Sequence, residues 1–276
     1  MENELFERAP IPKAYMKMAL PVVMGMIVTL VYNLVDTYFI ALTGNTNLIA
    51  GISICAPLFT LLLAIGDIFG IGGSSVISRI LGMHNADEAR KKSTFCFYAS
   101  MITGLIFTVV MLAMKKQVLM LLGATEKTYE FAGQYYFWLI LGSTFIIFSL
   151  VPSNLLRAEG MSLESMAGSV IGTVVNIILD PIFIFALGLG AAGAAIATII
   201  GYIVTCSYFI YVIRKKSKAL SMDLKLLSLD AATFASVFAI GLPSSITNLM
   251  QTIGITLTNR FCSLTVTIVL PLWESC

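Results

Sequence analysis

Seven long apolar runs divide this chain, at roughly 16–41, 52–80, 94–114, 131–156, 165–187, 191–213 and 233–258. A helix of about 20 mainly apolar residues crosses a bilayer, so each run reads as one spanning helix. Several exceed that length, which implies tilt or kinks. Pro21, Pro57, Pro152, Pro181 and Pro243 lie in or at the ends of the runs, and each removes a backbone donor and can bend its helix. Only 12% of the 276 residues are charged while 58% are hydrophobic. A soluble domain carries about twice that charge, so lipid is the expected solvent.

Several function classes fall away. A net charge of +2 is too small for a nucleic-acid binder. The cysteines Cys55, Cys96, Cys206, Cys262 and Cys276 lack paired metal-ligand spacing, and three lie in apolar runs; they read as small apolar residues. His84, the one histidine, sits in a polar loop, which excludes a histidine metal site or catalytic triad. The N-terminus mixes charges and leads into a run too long for a signal peptide. No cofactor is expected, and no enzyme.

Cationic side chains set an expected orientation. With the N-terminus inside, Lys115, Lys116, Lys127 and Arg260 fall outside and the other thirteen Lys and Arg residues fall inside. The positive-inside rule favours that arrangement. The expected organisation is a cytoplasmic segment 1–15, a six-helix lobe 16–213, a basic cytoplasmic loop 214–232, a helix 233–260 and a tail 261–276. A weak echo links ALPVVMGMIVTLVYN in run one to GLPSSITNLMQTIGI in run seven, pairing Pro21 with Pro243 and Leu20 with Leu242. That suits a transporter of two similar halves.

Three aspartates, Asp36, Asp67 and Asp180, lie inside runs, whereas no Lys or Arg is expected deep in any. An ionised Asp near mid-helix costs roughly 2.5–3.5 kcal/mol. A proton, a metal cation or a cationic solute must offset that cost, or water must reach the carboxylates. Both Asp36 and Asp180 fall in the outer half of outward-running helices. Asn176 lies one turn below Asp180 and Thr173 about one turn below that. Pro181 cannot donate to the Ile177 carbonyl. These oxygens suit Na+ or a proton-sharing site, and two approaching carboxylates should titrate as a unit. Asn176 and Thr173 serve equally well as bridges between helices. In GAAGAAIATIIG, from Gly190 to Gly201, most positions read as a packing face, and Thr198 is the hydroxyl deep enough to join a site.

The segments LVYNLVDTYFI, GIGGSSVISRILG, NLLRAEG and GTVVNIILDPIFIFALGLGAAGAAIAT resemble the multidrug and toxic compound extrusion (MATE) family of cation-coupled antiporters. The likeness covers about residues 10–260. It implies an all-α membrane protein: a six-helix transmembrane lobe of a MATE-type transporter plus the first helix of the second lobe. It implies a cation site at Asp36, Asn176, Asp180 and Thr198; Asp67 and Thr173 stay accessory candidates by their positions within the apolar runs. It also implies Na+ or H+ as coupling ion and an organic, often cationic, drug or metabolite as exported solute. The place is the cytoplasmic membrane, with a complementary second lobe as partner. Asp67 is not a general family feature. The ending FCSLTVTIVLPLWESC departs from the family pattern, which suggests a truncated or frameshifted product. The alternatives are a non-transporting membrane fragment and an exporter of lipid-linked substrates. A seven-helix receptor conflicts with an inside N-terminus. An intramembrane protease lacks its Ser-His pair, and Asp36 and Asp180 lack the flanking motifs of an aspartyl one.

Overall fold

The computed structural model describes residues 11–228 and 230–274, with side chains for residues 16, 19–228 and 230–261. Among them there is helix and loop but no strand. The helices are α1 (Ile11–Leu42), α2 (Thr46–Ile54), α3 (Ala56–Gly82), α4 (Ala86–Ala113), α5 (Lys115–Leu122), α6 (Tyr129–Leu141), α7 (Ser143–Ala158), α8 (Ser162–Pro181), α9 (Gly190–Lys216) and α10 (Ala231–Glu274). Six stretches are long and apolar enough to span a membrane, or seven when α6 and α7, bent by 48°, count as one. Each of the seven apolar runs has its helix or helix pair.

Local chemistry sets several boundaries. The side chain of Asn45 accepts from the Asn47 and Leu48 amides and caps α2. That of Asn85 accepts from the Glu88 amide at 3.1 Å and caps α4. Each satisfies N–H groups that a helix start leaves open. The fourth run breaks at Gly142, while Pro152 sits inside α7 without ending it. At Gly142 the Ile199 side chain presses so close that a Cβ would collide with it. Pro181 closes α8 into a π-turn, Ile182–Ala186, sealed by the Leu187 amide donating to the Ile182 carbonyl at 2.9 Å. The last helix extends to Glu274, beyond the expected end near 258–260.

Lipid gives helices little hydrophobic reason to associate, so close backbone approach and polar contacts carry the packing. On α8, Gly168 lies under the Phe209 ring, and Gly172 meets Thr205 Oγ1 and the Gly201 carbonyl. Gly193 meets the backbone of Phe183. The glycine-alanine stretch is therefore a packing face. Between α3 and α10, Gly72 faces the Val237 carbonyl and the Gly241 backbone, and Gly241 faces the backbone of Ile68. Further along that pair, the Thr60 and Thr252 hydroxyls lie 2.8 Å apart.

Two main apolar clusters fill the lobe. One surrounds Phe95, Phe97, Phe148, Leu155 and Phe209 at the end rich in Lys and Arg. The other surrounds Leu62, Tyr136, Leu139, Ile140 and Ile146 at the opposite end. Cys55, Cys96 and Cys206 are buried free thiols, as their apolar settings suggested; Cys262 and Cys276 lie outside the described side chains. By contrast, only Pro21 and Ile40 of α1 are buried among its described side chains.

Candidate functional site

Four positions on α8, each one turn apart, share a face: Gly168, Gly172, Asn176 and Asp180. The two glycines let α9 approach, and Gly201 of α9 comes so close that a Cβ there would lie 3.2 Å from the Asn176 Cβ. That approach seals Asn176 and Asp180 between helices. Asp180 is fully buried, and Asn176 and Thr198 are nearly so. In the amide orientation that satisfies both partners, Asn176 Nδ2 donates to Asp180 Oδ2 at 3.1 Å and its Oδ1 accepts from the Thr198 backbone N–H at 3.0 Å. The Thr198 hydroxyl donates to the Ala194 carbonyl at 3.0 Å.

Packed against α8, α1 brings Asp36 to the same place. The carboxyl groups of Asp36 and Asp180 approach within hydrogen-bonding reach. Two carboxylate anions cannot bond to each other, since each only accepts. A shared proton, a bridging cation or water would each ease such an approach. Among the described residues, neither carboxylate makes an ion pair with Lys or Arg. No group of three or more His, Cys, Asp or Glu side chains capable of holding a metal ion occurs there either. The available oxygens are two carboxylates, one amide and one hydroxyl, a set suited to a proton or to a hard monovalent cation rather than to a soft metal.

Of the candidate residues, Asp36, Asn176, Asp180 and Thr198 come together. Thr173 lines an adjoining cavity of about 330 Å³ with Asn176, Thr198, Tyr32 and Tyr202. Asp67 is engaged elsewhere: its Oδ2 accepts from Asn248 Nδ2 of α10 at 2.9 Å. Three tyrosines escaped the sequence reading. Tyr32 and Tyr202 line the cavity with Asn176 and Thr198, and Tyr135 lies in the same region of the lobe. In an apolar run a tyrosine looks like core; only its spacing from Asp36 marks Tyr32, which lies one turn away.

Arg157 corrects another expectation. Counted as a flanking charge at the inner end of its run, it instead turns inward. Its Nε donates to Ser165 Oγ at 3.0 Å and its Nη2 to Ser153 Oγ at 3.1 Å. Ser153 lies one turn back on α7, and helical side chains lean toward the N-terminus, so the guanidinium is drawn into the lobe. It is close enough to attract Asp67, though not in ion-pair contact. Asp67 therefore does have a basic neighbour.

Comparison with known proteins agrees with this architecture. The MatE family model matches residues 21–182. The multidrug export protein MepA of Staphylococcus aureus (strain NCTC 8325 / PS 47) is 31% identical over 246 residues, covering 89% of this chain and 54% of MepA. MepA of Staphylococcus haemolyticus (strain JCSC1435) is 34% identical over 239 residues, covering 87% and 53%. The chain thus spans about half the length of the curated relatives it matches. A solved multidrug resistance MATE family transporter of the MOP superfamily, in an outward-facing conformation, superposes with a TM-score of 0.84. Its sequence is 30% identical, and the match covers 91% of this chain and 55% of that one.

Proposed function

Because this chain belongs to the MATE family, we propose that it forms the ion-binding lobe of a cation-coupled antiporter. The antiporter exports organic, often cationic, drugs or metabolites across the cytoplasmic membrane, with the N-terminus inside. The observation that carries this reading is the fully buried Asp180 with the Asp36 carboxyl beside it. Two such anions repel, so a mobile positive charge between them would hold α1 to α8. A proton serves when shared between the two. Na+ serves when Asn176 turns its oxygen inward beside Asp180. Loss of the ion leaves two anions facing each other, which drives α1 away from α8. The sparse burial of α1 lets it respond. Uptake of the ion down its gradient is thereby linked to the shape of the cavity beside Thr173 and Asn176.

The purified chain provides the direct test. A ligand that binds only the folded state raises its stability. Stepwise addition of Na+, and separately of acid, should raise the melting temperature with saturation for one of the two ions. Asp36→Asn and Asp180→Asn should each abolish that saturating response. An unchanged response in both variants rules out this site. Export is read separately, from efflux of a fluorescent organic cation by cells making the chain together with a complementary MATE half. Efflux should follow the same ion's gradient and disappear in both variants.

A further inference from the structure

Arg157 sits where two cavities meet. The cavity beside Asn176 and Thr198 has it as a lining residue. So does a second cavity, of about 440 Å³, between α1 and the start of α8, where Gly25, Met26, Ser162 and Met166 contribute. A guanidinium has five N–H donors. Two point to Ser153 and Ser165, whose hydroxyls are buried and 3.0 Å apart. Among the described residues no carboxylate makes an ion pair with Arg157. Asp67 attracts it only from a distance while accepting from Asn248.

A charged guanidinium within a membrane lobe is costly unless paired. This one donates to two serines and still has further N–H donors, while it lines both cavities. Such a planar fork recognises carboxylate and phosphate groups through paired hydrogen bonds. We propose that Arg157, oriented by Ser153 and Ser165 at the junction of the two cavities, is an anion-binding site for the carboxylate, sulfonate or phosphate of an amphiphilic ligand. The site is separate from the carboxylate pair. Ser165 and Asn176 are both on α8, and a rise of 1.5 Å per residue puts them about 16 Å apart. A bound acid group at Arg157 therefore does not compete with an ion at Asp36 and Asp180. An amphiphile can direct its acid to the Arg157 end and its apolar body past Phe59 and Leu63. The source of the acid is either a dissolved solute or a lipid headgroup.

The test uses the purified chain in phosphatidylcholine nanodiscs and two probes, pyrenebutyrate and pyrenebutyl-trimethylammonium. Energy transfer from protein tryptophan to pyrene reports only the bound probe. Wild type should bind pyrenebutyrate saturably. Arg157→Gln should weaken that binding roughly tenfold to a hundredfold, the loss expected for charge-assisted hydrogen bonds, and leave the ammonium probe unchanged. Arg157→Lys should fall between, because a point charge lacks the planar fork. The coupling-ion reading is scored separately, by the melting response of Asp36→Asn to Na+ and acid, so its failure is read independently of pyrenebutyrate binding. Displacement of the probe by phosphatidylglycerol in the disc assigns the site to lipid headgroups, and displacement by a soluble aryl sulfonate assigns it to solutes; either supports it. Absent wild-type binding, equal affinity in wild type and Arg157→Gln, or equal loss of both probes in the Gln and Lys variants overturns it.

Discussion

Asn176 is the residue on which the carboxylate pair turns. Its amide donates to Asp180 and its oxygen accepts from the Thr198 backbone, so it ties α8 to α9 and limits how Asp180 can rotate. Replacement by Leu keeps the volume and removes both contacts. The buried Asp180 then loses a donor, a change that costs about 1–3 kcal/mol. For Na+, which would use the Asn176 oxygen, the expected result is a response shifted roughly tenfold or more to higher concentration; for a proton, loss of the donor to the Asp180 anion favours protonation and shifts the response to higher pH, read in the same melting titration. A variant that responds at the wild-type concentration shows that Asn176 does not set the ion site. The Asn and Asp were legible in sequence because a carboxylate four residues after an amide stands out in an apolar run. Arg157 was not legible as cavity lining. At the end of a run, an arginine pointing to water and one folded back onto two serines have the same sequence signature. The partners that decide it come from α7 and from across the turn to α8, which no local pattern displays.

Helix existence was readable at the scale of elements, since seven apolar runs became helices or bent pairs of helices. Helix shape was not. Proline was the expected agent of kinks, yet the bend of 48° falls at Gly142 and α7 passes through Pro152. At that bend Gly142 packs against Ile199 of α9 with no room for a Cβ, a tertiary neighbour with no trace in the run itself. The α8–α9 contact makes the same point with a measurable consequence. A Cβ on Gly172 would collide with Thr205 Oγ1 and lie 2.6 Å from the Gly201 carbonyl. Gly172→Ala should destabilise the lobe by about 1–3 kcal/mol, the usual cost of overpacking. It should also lift Asn176 away from Thr198. Adding Thr205→Ala removes one obstacle and leaves the backbone oxygen, so the double variant should recover only part of the loss in thermal stability. Full recovery means that Thr205 alone limits the approach; no loss in the single variant means that the helices have room to part.

Taken as a whole, the molecule holds its basic connecting loop firmly. By sequence, residues 214–232 read as a loop rich in Lys between two repeats. In the fold, Glu159, one residue past α7, gathers that loop in. Its Oε1 accepts from the Lys218 and Ala219 backbone amides at 2.9 and 3.0 Å, and its Oε2 accepts from Ser217 Oγ at 2.6 Å. Ala219 and Leu220 are buried in the apolar cluster beneath. From α4, Arg90 Nε donates to the Lys218 carbonyl at 2.9 Å, and Thr94 Oγ1 to the Ser221 carbonyl at 2.9 Å. The start of α10 is fixed by Lys92, whose Nζ lies 3.1 Å from Glu88 and 3.3 Å from Asp230. The connection is thus tied to both α4 and the end of α7. Glu159 is the common anchor, because one carboxylate satisfies two backbone amides and a hydroxyl. Glu159→Ala should release the loop without exposing the spans. Each charge-assisted bond is worth about 1.5–3 kcal/mol, so even one lost bond predicts roughly tenfold faster tryptic cleavage at Lys215, Lys216 and Lys218 under native conditions. The melting temperature of the helical lobe should change far less. Cleavage at the wild-type rate shows that the loop is held by its apolar burial and by α4 alone.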